Sequence, residues 1–270
     1  MKKETNSQTD KNQDTRSLII YFGGLITVYI IAVITFWNVE EKDGAFIAIM
    51  FAPTVGALLA KFFSSSKIQF GRPGWWLFAG LIPVSVVLFF YYLGTWIGVD
   101  SLDPQILVLA LITSPLAIFS ASLTAVGEEI GWRGFLWPLL RKKRSFLQTA
   151  ILVGAIWWLY HVPLILFGWY GTIGGLAAFT VGIVGFTLFV GVLTDRSRSL
   201  WPSVIAHGAW NGLVSTGFAL STKGGVPLQA FKGSTTWVGE FGWLAAIGSI
   251  VLGVAATIWH LNRSPDPSSD

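Results

Sequence analysis

The sequence predicts an all-α fold, a polytopic transmembrane helical bundle of about eight spans. Three observations predict it. Only 12% of the 270 residues are charged, about half the usual share of a soluble domain, and mean hydropathy is +0.63. The apolar residues fall into runs long enough to cross a bilayer as helix, which takes about 20 residues. The Lys and Arg residues cluster between those runs, as topology signals do.

The first run, near 17–38, follows a polar stretch, 1–16, expected as a disordered cytoplasmic tail. Leu18 to Trp37 is too long for the apolar region of a signal peptide and has no small-residue cleavage site after it. Further runs lie near 45–64, 75–98, 106–140, 147–168, 172–194, 200–221 and 242–261. They make one transmembrane domain over 17–262, with 263–270 expected as a second disordered cytoplasmic tail. Helices are expected because lipid cannot satisfy open backbone groups, and no alternating barrel pattern or internal repeat is present. The fourth run is too long for one simple crossing, and Pro115 and Pro138 interrupt it. It predicts a long, tilted or broken helix whose last turns, Phe135-Leu136-Trp137, lie at the membrane interface.

With eight spans, fourteen Lys and Arg fall on one side and Lys42, Lys223 and Lys232 on the other, with Arg133 inside a run. That asymmetry puts both termini of an integral, multi-pass cell-membrane protein in the cytoplasm. The net charge of +4 is spread as topology clusters, so nucleic acid is not an expected partner; the lipid bilayer is. The absence of cysteine excludes disulfides, a thiol nucleophile and thiolate-bound metal. The 14 Trp read mostly as interface anchors, as does His260. Asp100, Asp103, Lys223, Lys232 and Glu240 read as loop residues.

Titratable groups inside the runs carry the chemistry, since each costs at least about 2.5 kcal/mol at the bilayer centre. They are Glu128, Glu129, Arg133, His161 and His207, with Asn211 one turn beyond His207. Counted from the basic clusters, Glu128, His207 and His161 lie roughly 20, 13 and 25 Å along their helices. Those lengths predict one level below the cytoplasmic face and a shared wet site. Glu129 and Arg133 form an i,i+4 pair in the favoured order, while Glu128 is turned about 100° away. A carboxylate, two imidazoles and an amide suit general-base activation of water and stabilisation of an oxyanion. Two histidines and a carboxylate (Glu128, His161, His207) are also a conceivable zinc set, although no HExxH helix is present.

Glu128-Glu129-x-x-Trp132-Arg133, Trp157-x-x-x-His161 and His207-x-x-x-Asn211 follow one another on successive runs. Together they resemble the CPBP (ABI) intramembrane protease family, which includes the type II CAAX prenyl endopeptidases and bacteriocin-processing and immunity homologues. Trp157 stands where Phe is commoner, an exchange of one aromatic for another. The resemblance implies a glutamate-dependent, metal-free peptide hydrolase. Glu128 and His161 would activate water, His207 and Asn211 would hold the oxyanion, and Glu129, Arg133 and Trp157 would support them. Its substrate would be a membrane-associated protein or peptide, CAAX-type or bacteriocin-precursor-like. A non-proteolytic immunity or scaffold protein is the alternative, and a proton-coupled transporter is a third reading, disfavoured by the missing repeat symmetry. An aspartyl dyad lacks candidate residues, and a rhomboid-like serine site is disfavoured because no GxSG pairs with a distant His, Ser203 lying on the same run as His207.

Overall fold

Helix starts are written into the loops that precede them. Ser145 accepts the amide of Gln148 while Gln148 Oε1 accepts the amide of Ser145, a reciprocal cap. Asp103 accepts the amide of Ile106 at 3.3 Å with Pro104 in the first turn. In the computed structural model, which describes residues 2–64, 67–72, 74–220 and 227–263, these starts launch two of nine α-helices. The helices are α1 Lys2–Phe36, α2 Asp43–Ser64, α3 Trp76–Trp96, α4 Pro104–Gly131, α5 Trp137–Arg141, α6 Phe146–Leu166, α7 Leu176–Ser197, α8 Trp201–Ala209 and α9 Trp243–Arg263. The expected all-α bundle is what forms. The described strands are a two-residue pair, β1 Ala219–Leu220 against β2 Leu228–Gln229.

Hydrogen bonds sort the helix ends into two faces. At one face Asp14 bonds Lys142 and Lys143 at 3.0 and 2.6 Å, and Arg141 bonds Asp195 at 3.0 Å. Arg196 donates to the carbonyl of His260 at 2.8 Å and the amide of Leu200 to Phe70 at 3.3 Å. At the other face Lys232 bonds Asp103 at 2.9 Å, and the amide of Gly239 donates to the Tyr91 hydroxyl at 2.9 Å. Among the described residues the chain changes face eight times. Among the described residues seven helices are long and apolar enough to cross a membrane. The eighth crossing is shorter than the run 200–221 predicts. Helix α8 continues through a π turn, Trp210–Val214, and then stops at Gly217 and Phe218, whose φ values of 65° and 57° leave the helical region.

The fourth run is one rod with a break, as expected: α4 passes through a π turn, Trp132–Leu136, into α5. Its end is not interfacial, however. Phe135, Leu136 and Trp137 are buried, and Trp137 donates to Asp195 at 2.7 Å. Trp132, Trp157 and Trp210 are likewise buried, so the tryptophans divide between core and surface; Trp96 and Trp37 are exposed. His260 is buried against Phe146, with ring centroids 4.7 Å apart, and is no interface residue. Where the sequence reads as a disordered tail, α1 reaches back to Lys2, its Asp14 drawn to the basic turn after α5. Of 263–270 only Arg263 lies among the described residues, and Lys223 lies outside them.

Close approach of backbones sets the site's walls. A Cβ on Gly131 of α4 would come within 2.3 Å of Pro53 on α2, and one on Gly208 of α8 within 2.0 Å of the Ser122 hydroxyl on α4. Small residues of this kind let membrane helices pack without a hydrophobic driving force between them. The absence of native cysteine makes topology directly measurable. In sealed vesicles, Arg144→Cys and Lys232→Cys should react with an impermeant maleimide from opposite sides, Arg144→Cys from the cytoplasmic one. Labelling of both from one side would rule out the eight crossings.

Candidate active site

Glu128 and Glu129 are adjacent on α4 but end in different surroundings. Glu129 is fully buried; its Oε1 accepts from Arg133 Nη1 at 3.0 Å and lies 2.9 Å from His207 Nδ1. The Arg133 guanidinium also lies over the Trp157 ring, 4.3 Å from its centroid. Glu128 turns the other way. Its Oε2 accepts two indole N–H groups, from Trp157 at 2.7 Å and Trp132 at 3.1 Å. With one oxygen pinned, the carboxylate lines a cavity of about 240 Å³.

That cavity gathers the predicted residues. Glu128, His161, His207 and Asn211 all line it, and so does Trp157, from four different elements. Glu129 and Arg133 stand behind the wall. His161 Nδ1 lies 2.8 Å from the carbonyl of Trp157. A carbonyl only accepts, so Nδ1 carries the proton there and Nε2 is left outside that bond. His207 is held the same way by Glu129, leaving its Nε2 for the cavity.

Both π turns serve this geometry. Each widens a helix so that an amide bonds five residues back, Trp137 to Trp132 and Ser215 to Trp210, the latter at 2.9 Å. The first begins at Trp132, one of the two donors to Glu128; the second begins at Trp210 and carries Asn211. Such widened turns recur where a helix must aim side chains at a site.

The structure adds partners that motif spacing did not mark. Trp157 is more than a change of aromatic ring, because phenylalanine has no N–H to offer Glu128. Tyr170, Trp210 and Glu240 also line the cavity. Glu240 belongs to a loop, as expected, but it accepts from Trp210 Nε1 at 3.1 Å and from the Tyr170 hydroxyl. No local pattern around Glu240 announces this; only the fold brings it over the site.

The cavity runs away from the basic clusters. From Glu128 and His207 it extends toward Phe46, Tyr170 and Glu240, at the helix ends away from the basic clusters. Helix contour lengths gave a depth but no direction. Among the described residues no three His, Asp or Glu side chains group to hold a metal ion. Glu128, His161 and His207, the conceivable zinc set, share the cavity without converging as ligands.

Comparison with known sequences points the same way as the motifs. Residues 105–213 match the family described as type II CAAX prenyl endopeptidase Rce1-like, and that stretch contains Glu128 through Asn211. The CAAX prenyl protease 2 of Methanococcus maripaludis is 33% identical over 79 residues, 25% of this chain and 29% of that protein. The chain thus matches less than a third of that relative's length. The resemblance carried by the three motifs is borne out.

Both glutamates are buried, but their unequal partners predict unequal costs. Glu129→Ala leaves Arg133 buried and unpaired and should destabilise by about 3–5 kcal/mol. Glu128→Gln keeps an acceptor for both indoles and should cost no more than about 1.5 kcal/mol. Thermal unfolding in detergent measures both, and equal losses would contradict the division of roles.

Proposed function

We propose that this protein is an intramembrane endopeptidase that hydrolyses a peptide bond in a membrane-associated protein or peptide, without a metal ion. The observation that carries this reading is the side-by-side arrangement of a carboxylate facing a cavity and a carboxylate neutralised behind it.

In this reading Glu128 is the general base. Its free oxygen takes a proton from water held between it and Nε2 of His161, and the water oxygen bonds to the substrate carbonyl carbon. The carbonyl oxygen becomes an anion, stabilised by donors from His207 and Asn211. For His207 to donate from Nε2 while Nδ1 bonds Glu129, the ring must carry both protons. Glu129, itself bonded by Arg133, is the acceptor for the Nδ1 proton. As the intermediate collapses, the C–N bond breaks and the proton on Glu128 passes to the leaving amine. Trp132 and Trp157 are positioning residues: two donors on one oxygen fix the orientation of the carboxylate.

Substrate enters from the bilayer or from the side of Tyr170 and Glu240. With the basic clusters in the cytoplasm, that side is the non-cytoplasmic one. Helix α4 offers lipid an apolar surface on the way, with Ile112, Leu116 and Phe119 exposed, which suits a lipid-anchored or hydrophobic peptide.

The test is cleavage of lipidated peptides, both CAAX-type and leader-type, by purified protein in detergent, read by mass spectrometry. Glu128→Gln should lower the rate by at least about 10²-fold and His207→Ala by about 10²–10³-fold, with wild-type cleavage unchanged by a chelator. Undiminished cleavage by Glu128→Gln overturns the assignment and leaves the non-proteolytic immunity or scaffold reading.

A further inference from the structure

Glu240 is a second carboxylate in the same cavity as Glu128. It is tied to Trp210 at 3.1 Å and to Tyr170, and Trp210 begins the π turn that carries Asn211. Burial, and then the Glu240 charge itself, push the Tyr170 hydroxyl's pKa well above its ordinary value, so Tyr170 remains a neutral donor. Tyr170 and Trp210 are both neutral donors to the Glu240 carboxylate. They occupy two of its roughly four lone-pair sites, so others stay open toward the cavity.

Among the described residues no Lys or Arg lines this space. Arg133 lies behind the wall and is engaged by Glu129. Among the described residues two carboxylates thus line the cavity against one imidazole that can be charged beside them, His207, and that ring is already bonded to Glu129. In a partly dry site, unlike charges attract and like charges repel far more strongly than in water.

We propose that Glu240 forms a subsite for a cationic side chain of the substrate, a lysine or arginine near the scissile bond. By the same electrostatics the cavity disfavours a free C-terminal carboxylate. This rests on the endopeptidase reading and narrows its substrate class. A CAAX-type sequence ends in a free carboxylate within a few residues of its cleaved bond, whereas an internal site in a basic leader or membrane-anchored peptide brings none. The structure thus favours an internal, basic cleavage site.

The experiment uses the full wild-type chain in detergent and short N-palmitoylated, C-terminally amidated peptides that differ by one Lys or one Glu at each position in turn. Binding is read by fluorescence and cleavage by mass spectrometry in the same samples. At one position or more, the Lys peptide should bind about tenfold tighter than its Glu twin, and a free-acid terminus should weaken binding. Glu240→Gln should abolish the preference, while Tyr170→Phe, which leaves the carboxylate in place, should retain it. Equal binding of the Lys and Glu peptides, no binding of either, or a preference that persists in Glu240→Gln overturns the proposal. The wild-type comparison decides even if Glu240→Gln fails to fold. Peptides that bind with this preference but stay uncut would defeat the endopeptidase reading and leave the subsite standing.

Discussion

A buried ion cluster holds the site in place. Glu129 and Arg133 have fully buried side chains in a helix that crosses the membrane, and His207 joins them from another helix. Taking such charges out of water costs several kcal/mol each, and their mutual attraction offsets this only when geometry is good. Here one carboxylate oxygen meets both a guanidinium and an imidazole at about 3 Å, and Trp157 covers the guanidinium face. The cluster locks α4 to α8. Because Glu129 absorbs the positive charge, Glu128 is left as the carboxylate available to the cavity.

Tryptophan is the second structural device. Trp132 and Trp157 hold one oxygen of Glu128, Trp210 holds Glu240, and Trp137 holds Asp195 at the basic face. An indole supplies a large apolar body and one donor, so it can anchor a carboxylate inside a bundle without adding charge. Two of these tryptophans open π turns, where the helix widens and the side-chain direction shifts. The chemistry and the irregular helix geometry therefore occur at the same residues.

Much of this was legible in the sequence, for identifiable reasons. Hydropathy and basic clusters fixed the helical bundle because a bilayer punishes both exposed polar backbone and misplaced charge. The same penalty made Glu128, His161 and His207 conspicuous, and the fold brings them with Asn211 to one cavity. Composition could not say which tryptophans face lipid and which face carboxylates, since a residue count carries no direction. Trp157 looked like a neutral exchange because one-dimensional spacing does not show where an indole N–H points. Glu240 was hidden in a loop, and its role depends on a contact with Tyr170 from 70 residues away. The direction of the cavity was hidden too, because counting residues from a basic cluster gives distance along a helix and not the side on which the helices part.

The central claim is that Glu128 presents a free oxygen to water inside the bilayer while Glu129 is sealed off by Arg133 and His207. The most direct measurement is an experimental structure in lipid nanodiscs at a resolution that shows ordered water. It should reveal a water bonded to Glu128 and within reach of His161 Nε2, with none beside the Glu129–Arg133 pair. A dry cavity filled by an acyl chain, or a Glu128 carboxylate with both oxygens capped by protein, would contradict the account.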